Sequence, residues 1–226
     1  FLNEAVGSLT IEKTGEVLVD AKAAEAPVLA KVRNALAGLV NRVSNLVTGE
    51  DAMEVAEGYS FTYEEQGIAG AEFSIYARET IYSPDGQTDE EGNPVVRYEK
   101  DALVGTIVTG EDGKGTLNNL PVGDYYIKET KTGDSFVLDP EEKDFSITYQ
   151  GQEVAVDYVT KEIENQRQKV DLSVVKKSSQ TGEPLAGVVF GLYAAEDITG
   201  ADGSVLVEAG ALIEKAATGE DGTLVF

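Results

Sequence analysis

Cysteine, histidine and tryptophan are all absent from the 226 residues, and methionine occurs once. Without cysteine there is no disulfide and no thiolate metal site. Without histidine there is no imidazole general base, no Ser-His pair and no ordinary zinc site. Basic residues are scarce: 18 Lys and Arg stand against 41 Asp and Glu, a net charge of −23. No basic stripe is present to displace counterions from a nucleic acid, so no nucleic-acid partner is expected. No run of 18 apolar residues occurs, so no direct membrane insertion through a helix is expected. Lys, Glu, Asp, Asn and Tyr remain for chemistry, and no cofactor or metal is called for.

What the chain does contain is a repeat. IAGAEFSIYARE (68 to 79) matches LAGVVFGLYAAE (185 to 196), ALVGTIVTGEDG (102 to 113) matches ALIEKAATGEDG (211 to 222), and LTIEKT (9 to 14) matches LSVVKK (172 to 177), in the same order. This predicts two tandem domains of one type. The first spans 5–167 and the second begins at 168 and runs to 226, stopping at TLVF where the first copy continues TLNNLPVG. FLNE (1 to 4) precedes LTIEK much as IENQ (163 to 166) precedes LSVVK, so residues 1–4 read either as the last strand of a preceding domain or as a tail.

The segments AEFSIYA, ALVGTIVT, GDYYIKET, DFSITYQ and VAVDYV are short, rich in Val, Ile, Tyr and Thr, and bounded by Gly, Asp and Pro. They predict a mainly β chain of Greek-key sandwiches. One stretch differs. An insertion at about 20–58 of the first copy holds APVLAKVRNALAGLVNRVSNLVTG (26 to 49), whose apolar residues recur at helical spacing. It predicts an amphipathic helix carrying only positive charges (Lys31, Arg33 and Arg42), which either covers its own sandwich or docks a neighbour.

Period-two alternation puts Lys13 on the face of Leu9 and Ile11, Glu129 on the face of Tyr125 and Ile127, and Asn165 on the face of Ile163. Three strands of one copy thus each end an apolar face in a polar group. The competing reading is a set of strand ends emerging into solvent, with a surface Lys13–Glu129 ion pair. A buried ammonium is expensive unless paired or neutralised.

The I/L-A-G-x-x-F-x-x-Y motif, the TGEDG turn and LPVGDYYIKET (120 to 130), in this order and repeated, resemble the Cna B-type or SpaA-type immunoglobulin-like domains of Gram-positive surface adhesins and pilins. LPVGDYYIKET is similar to the glutamate-containing E-box strand of that family. The resemblance implies an isopeptide bond from Lys13 to Asn165 with Glu129 as proton relay. It further implies Lys176 as the bond-forming lysine of the second copy, whose acid and asparagine are expected past Phe226, and Asn3 as the asparagine of a preceding domain. A desolvated, neutral amine can attack, and a neutral amide resolves the burial cost.

The implied function is a structural stalk or shaft module at the bacterial cell surface, wall-anchored through a region outside this chain. Its partners would be neighbouring domains of the same surface protein or pilus. Enzymic turnover is not expected, only a single self-modification. The alternative is a ligand-binding adhesin domain that uses the insertion or the 80–100 loop on a host matrix protein or glycan. DGQTDEEGN (85 to 93) is acidic, but it lacks the sixth-position glycine of a calcium loop and reads as a solvated hairpin tip.

Overall fold

The structure is a computed structural model that describes residues 5–23, 58–83, 86–151, 153–154 and 156–226. The helix expected over 26–49 and Asn3 lie outside these residues. Every described regular element is a strand. They are β1 Val6–Ala23, β2 Tyr59–Gly67, β3 Glu72–Ala77, β4 Ile81–Tyr82, β5 Val96–Tyr98, β6 Leu103–Val108, β7 Lys114–Pro121 and β8 Gly123–Lys131. They continue as β9 Lys143–Ile147, β10 Val156–Asn165, β11 Ser173–Val175, β12 Val189–Tyr193, β13 Ile198–Thr199, β14 Val205–Val207, β15 Leu212–Ala217 and β16 Thr223–Val225.

The chain forms two compact units. Described residues 5–17 and 64–168 make unit 1; 18–23, 58–63 and 169–226 make unit 2. The described segments on either side of residues 24–57 therefore group with the second unit. There, the Ala201 amide donates to Leu18 O at 2.8 Å.

Unit 1 is a sandwich of two sheets. In the first sheet β1 lies between β10 and β7, pairing parallel with β10 and antiparallel with β7, and β2 also pairs with β1. The second sheet is antiparallel in the order β6-β3-β8-β9. Alternation decides which residues meet: Leu9, Ile11 and Ile163 from the first sheet pack against Phe73, Ile75, Ile127 and Ile147 from the second, all buried. Each such side chain contributes about 1.5–3 kcal/mol through burial. Tyr125 stacks on Phe145 at 5.1 Å between centroids, and its hydroxyl donates to Pro121 O at 2.6 Å, satisfying the one polar atom the ring brings inside.

Outside the sandwich, β4 and β5 form a short ribbon. Its exposed tip is closed by Asp89, whose Oδ1 accepts from the amides of Glu91 (2.9 Å) and Asn93 (2.8 Å). The Asp89 carboxyl, held by these backbone donors, stays below its ordinary pKa. The acidic tip is a self-capped turn, and among the described residues no group of acidic side chains forms a metal cluster.

Unit 2 repeats part of this plan. β11 pairs with β16, β12 with β15 and β13 with β14, all antiparallel. The β12–β15 ladder carries its irregularity between Leu192 and Tyr193, where β3–β6 carries one between the equivalent Ile75 and Tyr76. Leu18, Phe61 and Tyr63 line an open groove of about 530 Å³ together with Leu192, Tyr193 and Ile213.

Candidate functional site

Lys13 is delivered by the middle of β1. Its amide donates to Gly113 O at 2.8 Å, and its carbonyl accepts from Ile68 at 2.9 Å. Gly113 sits at φ +74°, and a Cβ there would run into the Lys13 carbonyl and Gly67. The TGEDG turn thus needs a glycine to press against the first strand at the lysine.

With both neighbours of β1 in place, alternation turns the Lys13 side chain into the sandwich, where it is 1% exposed. Glu129 (4%) and Asn165 (2%) come from β8 and β10 and are buried as well. The parallel register sets Lys13 beside Ile163 and Gly15 beside Asn165. The Lys13 Nζ donates to Ile163 O at 3.0 Å and to Thr14 O at 3.3 Å. Asn165 Nδ2 donates to both Glu129 oxygens, each at 2.9 Å, and to Thr132 Oγ1 at 2.7 Å. Asn165 Oδ1 is buried with no hydrogen-bond partner among the described residues. The structure therefore brings together Lys13, Glu129 and Asn165.

Electrostatics set the state of the lysine. Burial pushes the Lys13 ammonium down from 10.5 to about 8, against the opposing pull of Glu129, Asp139 and Glu164. At pH 7 roughly a tenth of such an amine is neutral, against a few parts in ten thousand for an ordinary lysine. Desolvation is the largest influence on this amine and prevails over the nearby carboxylates.

Two supporting residues went unnoticed in the sequence. The Asp139 amide donates to Glu129 Oε2 at 2.7 Å, which fixes that carboxyl. The Asp139 carboxylate pairs with Lys143 at 2.8 Å, and the Lys143 hydrogen bond keeps it below its ordinary pKa. Thr132 lies just past the end of β8 and takes one Asn165 hydrogen. Neither continues the strand alternation, so periodicity holds no signal for them. Phe136 and Ile68 close the end of the site over Gly15, where a Cβ would stand 2.5 Å from the Phe136 ring and 2.8 Å from Ile68.

Lys176, by contrast, is exposed, although its amide donates to Gly222 O at 2.7 Å just as Lys13 does to Gly113. No acid or amide side chain is bonded to it among the described residues.

Residues 62–162 match the model of the SpaA family, described as a prealbumin-like fold domain. No curated protein matches the chain. Among solved structures, it is similar to a minor pilin of Streptococcus agalactiae (17% identity over 75% of this chain and 48% of that one, TM-score 0.37). It is similar to the TIE protein of Bacillus anthracis (18% identity, 98% and 43% covered, TM-score 0.47). It is also similar to the full-length major pilin SpaD from Corynebacterium diphtheriae (19% identity, 84% and 38% covered, TM-score 0.38). The chain spans less than half the length of these three proteins.

Proposed function

We propose, from the premise that residues 62–162 are a SpaA-type domain of prealbumin-like fold, that the chain is a structural module of a Gram-positive pilus or surface protein. Its first domain would be locked by a self-formed Lys13–Asn165 isopeptide bond. The single observation that supports this most is one buried centre holding an amine of lowered pKa, a primary amide and a carboxyl bonded to that amide.

The chemistry follows from that arrangement. Lys13 passes a proton to Glu129 and its neutral Nζ attacks Asn165 Cγ. The second Nζ proton goes to the departing nitrogen, Glu129 returns the first to it as well, and the nitrogen leaves as ammonium with Glu129 ionised as it began. One C–N bond forms and one breaks, with no redox partner. Folding supplies the proximity. The reaction occurs once per domain, so it is self-modification without turnover. A shaft under tension gains from it, because force cannot peel β1 from β10 past a covalent link. Neighbouring domains or subunits are the partners this role requires, and the bacterial surface is the location it implies.

Intact-protein mass spectrometry tests the reading. The expected mass is below the sequence mass by one ammonia, with a cross-linked peptide joining residues 13 and 165. Glu129→Gln restores the full mass. A wild-type mass equal to the sequence mass overturns the bond and leaves Lys13 a buried amine hydrogen-bonded to the Ile163 and Thr14 carbonyls.

A further inference from the structure

We propose that the Thr132 hydroxyl is a catalytic group of this centre, the second hydrogen-bond donor to the Asn165 amide oxygen while Lys13 attacks. The inference rests on the isopeptide reading above and adds a residue to it.

The observation behind it is an imbalance at Asn165. Both Nδ2 hydrogens are taken, one by the Glu129 carboxyl (2.9 Å to each oxygen) and one by Thr132 Oγ1 (2.7 Å). The Oδ1 atom is buried with no partner. That orientation suits an ionised Glu129, which only accepts. It does not suit attack at Cγ. Negative charge then develops on Oδ1, and a buried oxygen without a donor raises the barrier.

A half-turn about the Asn165 Cβ–Cγ bond exchanges the two atoms. Oδ1 then faces Glu129 and Thr132 in place of Nδ2. The exchange becomes favourable when Glu129 receives the proton of Lys13, since the carboxyl can then donate. The same proton transfer that makes the amine nucleophilic thus prepares one donor for the oxygen. Thr132 supplies the other because a hydroxyl both accepts and donates: it accepts from Nδ2 in the resting state and donates to Oδ1 in the reactive one. Two donors then converge on the developing oxyanion, and neither is a backbone N–H. When the tetrahedral carbon collapses, the C=O re-forms, the C–Nδ2 bond breaks, and the nitrogen leaves as ammonium carrying the two protons lost from Nζ.

The test follows bond formation in newly made protein. The chain is synthesised in a cell-free system, quenched at intervals, and the ammonia-loss fraction is read by intact mass. Thr132→Val, isosteric and without a donor, is expected to slow the reaction by about 10²-fold, the usual effect of deleting one oxyanion donor. Thr132→Ser is expected to react within a few-fold of wild type. Thr132→Cys keeps the volume with a poor donor and is expected to be slow, which carries the test should the valine variant not fold. Packing is controlled in a Lys13→Ala background, where no bond forms and thermal unfolding reports the structural cost of each substitution alone. Thr132→Val or Thr132→Cys reacting at the serine rate overturns the role of the hydroxyl while leaving the bond intact. A wild type that never loses ammonia overturns the isopeptide reading itself.

Discussion

The amide of Lys13 donates to Gly113 O at 2.8 Å, and the amide of Lys176 donates to Gly222 O at 2.7 Å. Around each lysine the frame repeats bond for bond. Thr109 Oγ1 donates to Ile68 O at 2.6 Å and Thr218 Oγ1 donates to Leu185 O at 2.6 Å; Gly113 and Gly222 both take φ near +75°. β1–β7 and β11–β16 share a register, with Ile11 opposite Gly115 and Val174 opposite Leu224. Yet Lys13 is buried and Lys176 is exposed. Phe73 and Ile75 are wholly enclosed, whereas their counterparts Phe190 and Leu192 are half-buried. The difference lies in β8, β9 and β10, which have no equivalent among the described residues of unit 2. A repeated backbone frame positions a lysine; the strands that follow it in unit 1 make that lysine costly to keep charged.

The widest way to break this comparison is Lys13→Ala. It is expected to return unit 1 to its full sequence mass and to remove a cross-link that closes the loop from residue 13 to residue 165. By analogy with a disulfide closing so long a loop, that link is worth about 4–5 kcal/mol. The loss corresponds to a fall in thermal midpoint on the order of 20 °C for a domain of this size. Differential scanning calorimetry beside intact mass checks both parts. A normal melting profile together with a restored mass would mean that the bond contributes nothing to equilibrium stability.

A pH series sharpens the contrast between the two lysines. Consider a chain that cannot react, such as Asn165→Ala. Its Lys13 has a folded pKa of about 8 against 10.5 for the free side chain. Between those values the unfolded chain holds a proton that the folded chain has lost, so stability rises with pH across that window and is flat above it. Below about pH 8 both forms are charged and the burial cost is felt in full. Denaturant titrations at pH 7 and pH 10 are expected to show the gain in Asn165→Ala and to lose it when Lys13→Met is added. On the isopeptide reading Lys13 hands its proton to Glu129 and not to solvent, so the cross-linking rate of the wild type is expected to be level up to about pH 8 and to fall above it, where that proton is lost and Glu129 has none to donate to Asn165 Oδ1. A rate that keeps climbing from pH 6 to 9 would rule out the internal proton transfer.

Much of this site was legible because strands alternate. Leu9, Ile11 and Lys13 share a face by period alone, and the same rule turned Glu129 and Asn165 inward. The repeat was equally visible, since its turns demand glycine at fixed places: Gly113 and Gly222 are both required by positive φ. Thr132 and Asp139 were not legible. They lie past the end of β8, where no period operates, and their contacts depend on the path that 132–143 takes back across the sandwich. The insertion was also misleading in one respect. It interrupts the first copy in sequence, yet the described segments on either side of residues 24–57, namely 18–23 and 58–63, group with the second unit. Sequence position says where a segment leaves the chain, while the groove that Leu18 and Phe61 line with Leu192, Tyr193 and Ile213 lies wholly within the second unit.

A swap between the copies gives a smaller effect. Gly15 aligns with Ser178, two residues past each lysine. At Gly15 an added Cβ would meet Phe136 at 2.5 Å and Ile68 at 2.8 Å, so Gly15→Ser is expected to destabilise unit 1 by about 1–3 kcal/mol through overpacking. The reciprocal Ser178→Gly removes the hydroxyl that takes weak 3.3 Å bonds from the Gln180 and Thr181 amides and is expected to cost well under about 1 kcal/mol. Urea denaturation of the two variants measures the asymmetry. Equal losses would mean that closure by Phe136 does not distinguish the copies.

The smallest effect expected is the most diagnostic for the frame itself. Lys176→Ala removes an exposed side chain and leaves its backbone bonds to Gly222 and Leu185 untouched. A surface substitution of this kind changes stability by no more than about 0.5 kcal/mol, and the mass of the chain should change by the substitution alone. On the isopeptide reading, the same exchange at Lys13 is expected to remove a covalent link. The ratio between the two outcomes therefore measures what burial and a facing amide add to a lysine that both copies position alike. Should Lys176→Ala instead lower stability by several kcal/mol, the lysine would be held by a contact of its own in unit 2, and the contrast in exposure would no longer account for the difference between the copies.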